Sequence, residues 1–221
     1  MIVTLIGCGC GCLTEEACAA IKKAGLLIGS ARLLREYGDA KPQVEAVTVS
    51  AIKAAIRETD CEKICVLFSG DSGFYSGARL LLPALADHNV YIIPGISSVQ
   101  LFAARLGRPW QDWKLCSAHG VDCDVVAAVC RGRPAFFLTG GRQDPAALCR
   151  TLCGAGLGFL KACVGEDLGT ADERVTEGTA AEFAEMAFSP LSVLLVEPAP
   201  RRKRRTPGIP DAEFLRADKV P

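Results

Sequence analysis

The sequence predicts an α/β fold of two lobes, each a sheet flanked by helices. Three observations carry that expectation. Short, β-rich apolar runs alternate with amphipathic helical patterns along most of the chain, the order that builds a parallel sheet with helices on its faces. The alternation breaks once, at residues 107–113, where Pro109 stands between polar, turn-prone stretches and Trp110 and Trp113 follow. The 221 residues, half of them hydrophobic, furnish one core or two small lobes, since domains centre on roughly 100–150 residues. The expected organisation is a first lobe over 1–109, a second over 110–197, and a basic, proline-rich linker over 198–221.

The first strand is Ile2-Val3-Thr4-Leu5-Ile6, which runs into glycines. Thr14 caps the next helix, whose apolar face is Ala17, Ala20, Ile21 and Ala24, and Gly25 stops it. A second strand covers 26–28; Ser30 opens a helix with Leu33 and Leu34, and a further helix covers 50–58. Strand 64–68 is apolar throughout, is followed by Ser69-Gly70-Asp71-Ser72-Gly73, and leads to a helix over 75–85. Strand 90–93 is broken by Pro94-Gly95, and Ser97 or Ser98 caps a helix carrying Val99, Phe102, Ala103 and Leu106. Beyond the junction come strand 114–117, helix 122–130, strand 135–139, helix 145–152 and strand 160–164. Strand 174–176, a helix near 179–186 and strand 191–196 finish the chain, and this hairpin-like ending predicts a mixed second sheet. After Glu197 the prolines and the basic run 201–205 have nothing to bury, which reads as linker or tail.

Charge excludes some functions. The 25 basic and 25 acidic side chains cancel, so no overall field favours nucleic acid or a membrane. The run 201–205 lacks interleaved aromatics and reads as solvated linker rather than an RNA contact. No apolar stretch approaches the ~20 residues that span a bilayer. Residues 1–6 are too short for a secretory leader, so the 12 cysteines are expected as reduced thiols in a cytoplasm. Cys8, Cys10 and Cys12 alternate, and Cys61/Cys65 and Cys149/Cys153 are spaced by three residues, but no CxxC pair exists. A structural zinc site draws its ligands in close pairs, so no metal is expected.

Gly7, Gly9 and Gly11 follow the first strand directly. A backbone without β-carbons lets a ligand approach closely, and the amides of the next helix would favour a polar or anionic group. The pattern is not a dinucleotide fingerprint, because the acid expected about 20 residues on falls in 26–30, which has none. A tight strand-to-helix turn explains the glycines equally well.

Three further segments narrow the choice: Ser69-Gly70-Asp71-Ser72-Gly73-Phe74-Tyr75, Pro94-Gly95-Ile96-Ser97-Ser98 and Ser117-Ala118-His119-Gly120. With the first loop they resemble the tetrapyrrole methylases, the class III S-adenosylmethionine methyltransferases, over roughly residues 1–197. Gln100-Leu101, the stretch 106–112, Val164-Gly165-Glu166-Asp167-Leu168-Gly169 and Glu173-Arg174-Val175 resemble the members that methylate carbon 5 of precorrin-7. The resemblance implies S-adenosylmethionine as cofactor, bound between two lobes, and precorrin-7 or cobalt-precorrin-7 as substrate. The products would be precorrin-8 and S-adenosylhomocysteine, and the protein a cytoplasmic homodimer. Gly208-Ile209-Pro210-Asp211-Ala212-Glu213-Phe214 resembles the start of a partner domain that methylates carbon 15 and decarboxylates a side chain. Two other readings stay open: a ribosomal-RNA ribose methylase of the same superfamily, and a non-catalytic cofactor-binding half of a fusion enzyme.

The same resemblance implies cofactor contacts at Gly9, Gly11, Gly70, Asp71, Gly73 and Ser98. Asp71 would orient the cofactor or favour its cationic centre, or else cap the helix after it; Ser98 has the same alternative. His119 is a candidate base or substrate partner, since imidazole titrates near neutrality, or a structural histidine; Tyr75 packs on the macrocycle or on the core. Arg142 and Arg105 are the substrate-carboxylate candidates, with Arg79, Arg131 and Arg133 behind them, because guanidinium pairs well with carboxylate. Glu166 is either functional or an exposed loop acid. The chain departs from the family pattern at Cys10 and Ser72, where proline is usual, at Val121 in place of arginine, and at Gly140 in place of aspartate.

Overall fold

Two five-stranded sheets organise the chain in a computed structural model that describes residues 1–9, 11–38 and 41–199. The first contains β1 (Ile2–Cys8), β2 (Leu26–Gly29), β3 (Gln43–Glu45), β4 (Lys63–Ser69) and β5 (Asn89–Ile93) in the order β3-β2-β4-β1-β5, all parallel. Its central strands are buried on both faces. Val3 and Leu5 of β1, with Ile64 and Val66 of β4, pack against α3 (Val49–Arg57) and α4 (Ala78–Leu81). Ile6 and Cys8, with Cys65 and Leu67, pack against α1 (Glu15–Lys23) and α2 (Ala31–Tyr37). Each fully buried aliphatic side chain of this kind contributes roughly 1.5–3 kcal/mol.

The second sheet has the order β6-β7-β10-β8-β9, from β6 (Lys114–Ser117), β7 (Ala135–Leu138), β8 (Lys161–Glu166), β9 (Arg174–Thr179) and β10 (Ser192–Val196). β6 and β7 are parallel, whereas β10 runs antiparallel to β7 and β8, and β8 antiparallel to β9, so the sheet is mixed as its ending predicts. One face carries α6 (Val125–Val129), α7 (Pro145–Gly154) and α8 (Ala180–Ala184), which bury Phe137, Val164 and Leu194. The other carries α5 (Ser98–Arg105), whose Val99, Phe102 and Ala103 pack with Phe136, Val193 and Leu195. Gly165 makes room for that helix: a β-carbon there would stand 2.7 Å from the Phe102 ring. At the junction, Arg108 lies over the Trp113 ring and pairs with Glu197 at 2.6 Å.

Most helix ends follow local chemistry. Thr14, Thr48, Asp124, Asp144 and Thr179 each accept a backbone N–H in the first turn of the helix they open. Ser97 precedes α5, with the Gln100 Oε1 accepting its N–H at 2.8 Å. Three expectations need correction. The helix over 75–85 shortens to α4 plus a 3-10 turn at Leu82–Leu85, because Tyr75 has φ 48° and Pro83 sits at the start of that turn. The helix over 122–130 contracts to α6, since Asp124 caps it from within. β3, absent from the sequence reading, is a three-residue exposed edge strand. Cys10 and the stretches 201–205 and 208–214 lie outside the described residues. Among the described residues no helix is long and apolar enough to cross a membrane.

Candidate functional site

In parallel α/β sheets, ligands bind beyond the carboxyl ends of the strands. Here the segments after all five strands of the first sheet line one cleft of about 750 Å³: Gly11 after β1, Ser30 after β2, Val47 after β3, Gly70 and Asp71 after β4, Ser97 and Ser98 after β5. The second sheet supplies His119 after β6, Leu138 and Thr139 at the end of β7, Asp167 to Thr170 after β8, and Ser192 and Val193 where β10 begins.

The glycines divide by role. A β-carbon on Gly7 would stand 2.6 Å from Gly95 N and 2.7 Å from Gly70 O, so the loops after β4 and β5 rest directly on the β1 backbone. Gly9 is packed still harder, 1.5 Å from the Ile96 carbonyl oxygen by the same measure, and is absent from the cleft wall. Gly11 (φ 70°) and Gly70 (φ 72°) adopt the left-handed conformation that favours glycine, and both line the cleft.

Asp71 ties these loops together. Its Oδ1 accepts the Gly73 N–H at 2.7 Å and its Oδ2 the Gly95 N–H at 3.2 Å. It is not the cap of α4, which starts seven positions later at Ala78 after Gly77. Gly73 serves this tie and does not line the cleft. Tyr75 joins the lobes: its hydroxyl donates to the Leu115 carbonyl of β6 at 3.0 Å, and Phe74 beside it lies 6.3 Å from Phe136 of β7. Tyr75 is 54% exposed and lines the cleft, and partial desolvation of its phenol pushes that group's pKa up.

His119 is exposed in the cleft wall, with Nδ1 3.1 Å from the Thr139 carbonyl oxygen. A carbonyl only accepts, so Nδ1 carries the hydrogen and Nε2 of the neutral ring keeps its lone pair. The Thr139 hydroxyl in turn donates to the Ser192 carbonyl at 2.5 Å. Thr139 and Ser192 were not singled out from the sequence; only their meeting across 53 positions identifies them.

The structure does not bring the two arginine candidates to the wall. Arg142 is exposed in the turn after β7. Arg105 is bound to Glu173, with Nη2 3.2 Å from Oε2, and Glu173 Oε2 also accepts the Gly169 N–H at 2.6 Å. The bond from Arg105, then that from Gly169, holds the Glu173 carboxyl below its usual range. Glu166 is neither exposed nor in a loop: it ends β8, is 2% exposed, and accepts from Arg174 Nε at 2.7 Å and Ser189 N–H at 2.9 Å. Burial makes Cys8 and Cys123 poor nucleophiles, pushing their thiols up to about 12 and about 11. Among the described residues no three His, Cys, Asp or Glu side chains are grouped to hold an ion.

The lining suits a nucleoside carrying a sulfonium. Leu138, Leu168 and Val193 offer apolar faces, Gly11, Gly70 and Gly169 offer bare backbone, and the second lobe adds one carboxylate, Asp167.

The family model described as Tetrapyrrole (Corrin/Porphyrin) Methylases matches residues 3–184. The decarboxylating precorrin-6Y C(5,15)-methyltransferase of Sinorhizobium sp is 32% identical over 206 residues, 89% of this chain and 49% of that protein, so the chain spans about half of that relative's length. The cobalt-precorrin-7 C(5)-methyltransferase of Salmonella typhimurium is 31% identical over 180 residues, 79% of this chain and 89% of that one. Among solved structures, a cobalamin-biosynthesis precorrin-6Y methylase from Archaeoglobus fulgidus has a TM-score of 0.70 at 24% identity, covering 90% of this chain and 98% of its own. A uroporphyrin-III C-methyl transferase from Thermus thermophilus, complexed with S-adenosyl homocysteine, has a TM-score of 0.69 at 19% identity, covering 88% and 91%. At those identities the two structures speak for the fold.

Proposed function

Because this chain belongs to the tetrapyrrole methylase family, whose members are S-adenosylmethionine-dependent methyltransferases, we propose that it methylates carbon 5 of precorrin-7 or its cobalt form. One observation carries the choice of carbon. The chain covers most of a free-standing relative named for carbon 5, and half of a relative named for carbons 5 and 15. The same reading makes the chain a cytoplasmic homodimer and places after residue 197 a linker toward a carbon-15 methylating, decarboxylating domain.

When bound, S-adenosylmethionine supplies an electrophilic methyl group. The remaining work falls to the chain: to align that group with the ring carbon and to keep water out. In this reading Gly11, Gly70 and Ser98 hold the cofactor with the apolar wall of Leu138 and Leu168. Asp71 is a positioning residue, since both its oxygens are committed to backbone amides of the two cofactor loops; Gly9 and Gly73 act through the same loops. Tyr75 keeps the lobes in register over the reaction. His119 Nε2 accepts a hydrogen bond or a proton from the substrate while Thr139 fixes the ring.

Incubation with precorrin-7 or cobalt-precorrin-7 and methyl-labelled S-adenosylmethionine tests the proposal. Label is expected at carbon 5. Label at another position, or cofactor binding without transfer, refutes it.

A further inference from the structure

We propose that Arg32 is the specificity residue that binds a peripheral carboxylate of the tetrapyrrole; this rests on the substrate class proposed above. Among the described residues Arg32 is the only lysine or arginine in the wall of the cleft. Its place follows from topology. β2 and β4 are neighbours in the sheet, and α2 starts directly after β2, so an arginine in the first turn of α2 reaches the end of β4. Arg32 Nη2 donates to Ser69 Oγ, 37 positions on, at 3.0 Å, and Nη1 lies 3.2 Å from Glu36 Oε2.

These two partners hold the guanidinium in place without using it up. It has N–H donors left over, and the side chain stays 42% exposed. The wall on the same lobe also has apolar members, Leu33, Val47 and Phe68. A cation beside apolar side chains fits a flat macrocycle with acidic arms: the ring covers the hydrocarbon and an acid meets the fork of the guanidinium. Arg105 cannot take this part, being committed to Glu173, and Arg142 is outside the wall. The amino-acid end of S-adenosylmethionine also carries a carboxylate. Part of the lining suited to a nucleoside, at Leu138, Leu168 and Gly169, lies on the second lobe, whereas Arg32 lies on the first beside the Gly70 loop, so cofactor affinity is the measurement that tells the two carboxylates apart.

The test uses Arg32→Gln, Arg32→Lys and Glu36→Gln in the full chain, with the melting temperature followed to confirm folding. For Arg32→Gln, KM for precorrin-7 is expected to rise about tenfold or more, the scale of a charge-assisted hydrogen bond, with kcat changed much less. Its affinity for S-adenosylmethionine by calorimetry should stay at the wild-type value. Arg32→Lys should recover only part of the loss, since it keeps the charge but not the fork. Glu36→Gln should lower KM by about twofold, a surface pair being weak. Wild type should favour free-acid precorrin-7 over its methyl ester, and Arg32→Gln should lose that preference. An unchanged KM in Arg32→Gln, with wild type active, overturns the assignment and leaves the carbon-5 reading standing. Weakened cofactor binding in that variant overturns it in favour of the cofactor's carboxylate. A wild-type chain that does not methylate precorrin-7 removes both.

Discussion

His119 and Gly140 fit each other: the imidazole occupies the space a side chain on Gly140 would need, Nδ1 standing 2.0 Å from where that β-carbon would lie. Gly140→Ala must turn the His119 ring away from the Thr139 carbonyl. Because His119 is exposed, little stability should be lost, while kcat should fall toward that of His119→Ala. A general acid or base contributes roughly 10²–10⁴-fold, so a drop of about 100-fold or more in both variants, at unchanged S-adenosylmethionine affinity, is the expected result. Full kcat in His119→Ala would make the ring structural.

Asp71→Ala leaves the Gly73 and Gly95 amides without their acceptor. The stability cost should be about 1–3 kcal/mol, the range for a polar group stripped of its partner. Both loops line the cleft proposed to hold the cofactor, so the dissociation constant for S-adenosylmethionine should rise about tenfold or more. Urea unfolding beside calorimetry separates the two effects, and equal losses in both would reduce Asp71 to a structural tie.

Gly9→Ala should be among the most damaging single changes. Its β-carbon would meet a backbone oxygen, that of Ile96, at 1.5 Å, and no rotamer change relieves a backbone clash. The loss should exceed the roughly 1–3 kcal/mol of ordinary overpacking. Gly141→Ala has open space around it but φ 62°, and should cost only about 1 kcal/mol from backbone strain. Denaturant midpoints of the two variants compare them directly.

Glu173 makes stability depend on pH. Its folded carboxyl titrates below its unfolded value because Arg105 and Gly169 stabilise the anion. Such a group adds stability above the unfolded pKa, near 4.5, and that contribution fades as the pH falls through the folded value. Glu173→Gln should therefore melt lower than wild type at pH 7, with the gap closing below about pH 4. A gap that persists unchanged at low pH would mean the pair does not carry it.

Burial explains which elements could be read from the sequence. Ile64-Cys65-Val66-Leu67-Phe68 is legible as β4 because nearly all of it is buried. Gln43-Val44-Glu45 is illegible because all of β3 is exposed at a sheet edge, where its residues carry no apolar signal. The apolar spacing of 75–85 is helical, yet the left-handed backbone at Tyr75 delays the helix to Ala78. For the cleft, the loops at Gly11, Gly70, Asp71 and Ser98 were named through the family resemblance, and each stands beyond the end of a strand. The arginines were not: Arg32 is picked out by Ser69, and Arg105 is withdrawn by Glu173, partners 37 and 68 positions away. Such pairings depend on strand order, which local pattern does not encode.

The placement of α5 sets where this protein can be divided. The helix follows the last strand of the first sheet, yet its apolar face covers Phe136, Val193 and Leu195 of the second. Fragments cut at residue 109 would tear it from that face, and both halves would be prone to aggregate. A cut in the loop before Ser97 would leave α5 with the sheet it covers, which makes that loop the place to split the chain for fragment complementation.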